Sequence, residues 1–265
     1  MIEARDSGAS GTTSGRGGKD FWPAEDQAPG GGNRRPLLLY GGAALAVLLV
    51  LAGAGAFFLT RGGGDKPVPH LSPTAYTPEY DGEGTSAIAR RSADPRPVTL
   101  AEVFGDDVKT VASNGFTYTL AGTDLKADCK AATWGAALQA QLAKSGCRAV
   151  VRGAYVSRAQ GFVGQFTVLD LADADGVRQV LRMLDPATGS GFVLPLAAPG
   201  APAFAKGFSA AYAQAYGHYA VVCWVQKSGG GLPKSLDQAV SASLPVEKPA
   251  FFVWARVQMA DGAGK

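Results

Sequence analysis

Histidine is scarce in this chain. There are two, His70 and His218, against 265 residues, with three cysteines and three methionines. So small a set limits metal sites and acid–base chemistry. No Gly-x-Ser-x-Gly elbow, Gly-rich phosphate loop, dinucleotide fingerprint or His-Glu-x-x-His pair occurs. No Cys-x-x-Cys is present, which excludes zinc ribbons and thioredoxin-type redox sites, and no Asn-x-Ser/Thr sequon is found. A large excess of one charge sign is also missing: the net charge is only +3, and no basic stripe carries interleaved aromatics. Nucleic acid is therefore excluded as a partner. No cofactor is implied.

One absence is local. Residues 37–59, LLLYGGAALAVLLVLAGAGAFFL, contain no charge, while Arg34 and Arg35 precede them and Arg61, Asp65 and Lys66 follow. A bilayer core about 30 Å thick needs roughly 20 apolar residues in helical form, and this run has no polar face. A single transmembrane helix is expected, with the lipid bilayer as partner. Lys and Arg counts in the flanks, and the bulk that follows, place the N-terminus in the cytoplasm and the rest outside. Ala52, Ala54 and Ala56 also have signal-peptidase spacing, the alternative being a secreted protein cut after them. Small residues four apart (Gly42 and Ala46, Ala52 and Ala56) would permit a weak homo-oligomer.

Around that span the chain divides. Residues 1–36 balance five basic against five acidic side chains and are Gly- and Ser-rich, as expected of a disordered cytoplasmic tail. Residues 60–97 carry Gly62-Gly63-Gly64 and six prolines, as expected of an extracellular linker or stalk, with His70 solvated. Residues 98–262 then form an α+β domain. Thr99 caps a short helix, and Phe116–Leu120 alternates as a strand. Trp134, Leu138 and Leu142 repeat at helical spacing, and strands 149–156 and 162–171 are joined by a hairpin. Asp173 caps a helix bearing Val177, Val180, Leu181 and Leu184. Residues 186–217 read as a long loop with a short strand near 192–194, and 219–225 as a central strand apolar on both faces. A capping box at Ser235 and Gln238 opens a helix carrying Leu236, Val240 and Leu244, and 251–259 reads as a last strand. The order βαββαβ predicts a ferredoxin-like two-layer fold with C-terminal additions.

Outside the cytoplasm, Cys129 and Cys147 invite a disulfide. A straight helix over 130–145 would hold them about 24 Å apart, whereas a disulfide needs roughly 4.4–6.8 Å between Cα atoms. Either the chain breaks at Gly135, or one of the two pairs with Cys223. His218, at the mouth of the central strand, is the best single candidate for a pocket or catalytic residue. Its alternative role is to cap the strand and hold a loop.

Asp128-Cys129, Trp134-Gly135, Gly146-Cys147, Arg152, Tyr155-Val156-Ser157 and Gly217-His218-Tyr219 form a pattern. With the layout of residues 34–260, it resembles uncharacterised single-pass membrane proteins of actinobacteria with a two-cysteine extracellular domain. The resemblance implies a Gram-positive envelope and a Cys129–Cys147 bridge; Cys223 departs from it. Three functions are compatible: a tethered domain binding a protein or envelope ligand, a wall-associated hydrolase using His218 and a carboxylate from 186–217, and a structural envelope protein.

Overall fold

A computed structural model describes residues 70–262. The expected tail and the apolar span 37–59 lie outside these residues. Among the described residues no helix is long and apolar enough to cross a membrane.

The domain is built on a curled, seven-stranded mixed sheet. Its strands are β1 (Ala75–Glu79), β2 (Thr110–Ser113), β3 (Phe116–Lys126), β5 (Ala149–Ser157), β6 (Phe162–Asp170), β8 (Ala210–Tyr216) and β9 (Tyr219–Lys227). They lie in the order β1-β8-β9-β6-β5-β3-β2. Only β1 and β8 are parallel; the other neighbours are antiparallel. Two short strands, β4 (Thr133–Trp134) and β7 (Phe192–Val193), pair separately. The helices are α1 (Leu100–Val103), α2 (Ala136–Lys144), α3 (Ala174–Met183), α4 (Leu236–Ser243) and α5 (Phe252–Gly262).

This overturns the ferredoxin-like expectation. That arrangement returns the third strand between the two strands joined by the first crossover, so that 116–120 would neighbour 162–171. Here β3 instead pairs directly with β5, and the strand order is β9-β6-β5-β3. The first reason is the β3–β5 connection. Cys129–Ala132 is a 3₁₀ turn, and Gly135 takes φ 95° just before α2, so the chain folds back beside the strand it left. The second reason is burial on both faces. In β9, Tyr219, Val221, Cys223 and Val225 enter one core, beneath Val246 and α5, while Ala220, Val222 and Trp224 enter the other, beneath α2 and α3. Two apolar faces need two covering layers, so the sheet is the middle of three.

Two further expectations change. The stretch from residue 251 to 259 is helical, with Phe252, Val253, Arg256 and Val257 buried at helical spacing and Trp254 and Met259 exposed. The folded domain also starts before Val98: β1 and the buried Ile88 and Asp94 all come from the stretch expected to be linker. Pro78 is tolerated in β1 because that strand is at the sheet edge.

Candidate functional site

His218 sits at the tip of the β8–β9 hairpin, yet none of it is exposed. Gly217, with φ 56°, begins the two-residue turn. The segment before α1 folds over it. Gly217 N donates to Thr85 Oγ1 at 2.9 Å, and His218 N to the Ile88 carbonyl at 3.0 Å; the His218 carbonyl accepts from Leu171 N at 3.0 Å. The imidazole lies 3.9 Å from the Tyr219 ring centroid. Its Nδ1 is 3.3 Å from Asp170 Oδ1 and its Nε2 is 3.5 Å from Asp94 Oδ2. Neither approach has hydrogen-bond alignment, and both ring nitrogens are without a hydrogen-bond partner among the described residues.

The two carboxylates are held from behind. Asp94 Oδ2 accepts from Tyr219 Oη at 2.7 Å and from Arg256 Nη1 at 2.8 Å. Arg256, 1% exposed, also donates to both oxygens of Glu102 (2.8 and 2.5 Å) and to the carbonyls of Arg96 and Pro97. Asp170 Oδ2 accepts from Arg148 Nη2 at 2.6 Å and from its Nε at 3.0 Å. Burial works against ionisation of both aspartates. The hydrogen bonds from Arg256 and Tyr219 outweigh it at Asp94, and the contacts with His218 and Arg148 do so at Asp170, holding both carboxyls below the usual range.

This cluster ties residues 85–102 to the hairpin tip, the end of β6 and α5. It is sealed: His218, Asp170 and Asp94 are 0, 0 and 3% exposed. No substrate reaches the imidazole in this arrangement. The expected carboxylate from 186–217 does not exist either, since that segment contains no Asp or Glu. The acids beside His218 come from positions 94 and 170. Two signals in the sequence point to the cluster: Asp170 closes an apolar strand, and Arg256 is a lone charge inside Phe251–Met259.

Cys129 and Cys147 are bonded, with Cα atoms 6.4 Å apart. Cys223 is a buried free thiol whose pKa burial pushes well up. His70 is exposed and stacks on Trp134 at 5.0 Å.

An accessible concavity lies elsewhere, a groove of about 390 Å³ between the β1/β8 end of the sheet and α4. Leu236, Val240 and Leu244 form its outer wall, being 69, 52 and 41% exposed. The α4 stripe thus faces outward, and Ala239 and Ala242 are its buried side. Along β8 the alternation Ala-Tyr-Ala-Gln-Ala-Tyr sends the alanines at 211, 213 and 215 into the core. It leaves Tyr212, Gln214 and Tyr216 on the groove side as a polar ladder. Tyr212 Oη donates to Glu79 Oε2 at 2.5 Å, Gln214 Nε2 donates to Tyr212 Oη at 2.9 Å, and Tyr216 Oη donates to Gln214 Oε1 at 2.5 Å. Glu247 Oε1 lies 3.2 Å from Tyr216 Oη. Burial, and then Glu79, raise the Glu247 pKa against the Tyr216 hydrogen bond. Burial, with Glu79 as acceptor, pushes Tyr212 up to about 12.

No family model, curated protein or solved structure matches the chain.

Proposed function

We propose that this is a binding domain, presented at the cell envelope by the apolar span 37–59, which recognises its ligand at the α4 groove and the apolar surface beside it. One observation carries the reading. Of the eight large hydrophobic side chains exposed among the described residues, seven lie between Leu232 and Met259. Scattered exposed leucines need no explanation; such a concentration beside a groove marks a contact surface. A concave, mostly apolar site with a few convergent polar groups is the usual form of a ligand pocket. The sealed state of His218 disfavours the hydrolytic alternative.

The test is site-specific photocrosslinking in intact cells. A photoreactive residue at Val240 is expected to give discrete adducts, and one at the exposed Lys144, on α2 across the sheet, none. Equal labelling from both positions, or from neither, refutes the reading. The anchor is tested separately. The chain should stay in the membrane pellet after alkaline washing, whereas release into the medium with a new N-terminus near Gly55 or Phe57 would remove the tether.

A further inference from the structure

The ligand class of the groove follows from its hydrogen-bond inventory, on the reading that the groove is the binding site. Each proton of the ladder is already committed. The Tyr212 hydroxyl points at Glu79, both Gln214 amide protons point at Tyr212 and Glu79, and the Tyr216 hydroxyl points at Gln214. What is left over is acceptor capacity. Glu247 lines the groove and Glu79 stands at the end of the ladder, and among the described residues neither is ion-paired. No Lys or Arg lines the groove. An anion would meet the Glu247 carboxylate, with Glu79 beyond it, and no cation. The Thr77 hydroxyl is the lining donor left without a hydrogen-bond partner among the described residues, and it carries no charge to balance an anion. A cation would satisfy the site by charge, with the Tyr212 ring beside it.

The rest of the groove is hydrocarbon. Leu236, Val240 and Leu244 recur at every fourth position along one helical face, and Ala75 and Ala210 keep the floor low. We propose that the groove binds an alkylammonium, a compact organic cation with a short aliphatic chain. The head rests against Glu247 and the chain lies along Leu236 and Val240.

Full-length protein in lipid nanodiscs would be dialysed to equilibrium against radiolabelled hexyltrimethylammonium, hexanol or hexanoate. The Leu236→Ser/Val240→Ser double variant supplies the lipid-partition background. Saturable binding of the cation above that background is expected, with hexanoate at least about tenfold weaker. Glu247→Gln should weaken the cation about tenfold, and Glu79→Gln, an exposed change that leaves the fold alone, about threefold. If the three probes bind alike above background and neither glutamine variant matters, the cation proposal is overturned while the groove reading stands. If no probe exceeds background, both fall.

Discussion

Arg256→Met removes a guanidinium that five other groups depend on. The side chain is 1% exposed and reaches Asp94, Glu102, Tyr219 and the carbonyls of residues 96 and 97, while packing over the rings of Tyr219 and Phe252. Methionine keeps much of the packing and none of the donors. Asp94, 3% exposed, would keep only Tyr219 as a hydrogen-bond donor, with Arg96 at 3.6 Å. Deleting one partner of a buried ion pair costs about 3–5 kcal/mol, because the other charge stays buried. For a domain of this size, each kcal/mol lowers the midpoint by about 2–4 °C. Thermal unfolding of full-length Arg256→Met should therefore fall by roughly 6–20 °C. Trypsin gives a second readout, since loosening residues 90–97 exposes the bonds after Arg90 and Arg91. The Arg256→Met/Asp94→Asn pair should lose less than the sum of its single changes. A loss of under about 1 kcal/mol for Arg256→Met, with unchanged trypsin cutting, would refute the claim that this cluster holds the segment down.

Acid should act through the same aspartates. Both folded-state pKa values lie below the ordinary carboxylate value. Their stabilisation is therefore complete above about pH 4 and is lost as pH falls through the folded values. Urea midpoints should stay level between about pH 5 and 7 and drop below about pH 4, and Asp170→Asn should flatten that drop. In denaturant without reductant, Ellman titration should find one thiol, and three after reduction; two free thiols before reduction would contradict the Cys129–Cys147 bond. Opening that bond should cost about 3 kcal/mol, as a loop of this size implies. Gly217→Ala should destabilise by about 2 kcal/mol or more, because its φ is positive and an added Cβ would lie 2.4 Å from the Ile88 carbonyl oxygen; calorimetry would show it.

Local signals in the sequence carried most single elements. Thr99, Asp173 and Ser235 each accept from the backbone N–H expected of an N-cap. Gly135 is the break that lets Cys129 reach Cys147. The groove was harder to see, because its two sides come from distant stretches. Glu79 lay in a proline-rich segment, and β8 lay in a stretch dominated by Gly, Pro and Ala. The alternation Ala-Tyr-Ala-Gln-Ala-Tyr is nonetheless a period of two, and it marks β8 once alanine is counted as a core residue. Leu236, Val240 and Leu244 fit helical spacing, but spacing cannot say which side faces water. Here the two alanines are buried because α4 lies close to the sheet.

His218 shows why a residue type at a strand mouth is weak evidence of chemistry. A hairpin tip is normally exposed, and an exposed imidazole could meet a substrate. Here residues 85–102 close over the tip, and Asp94 reaches the ring from a segment whose prolines resemble a stalk. The same closure shows what was wrong with a two-layer fold. Tyr219 to Val225 was apolar on both sides, and one layer of helices can cover only one of them. Val246, Phe252, Val253 and Val257 supply the second cover, and Arg256 ties that cover to residues 94–102. The buried ion cluster and the third layer are therefore one feature. The charges sit where the covering segments meet, so loosening either segment should expose the hairpin tip.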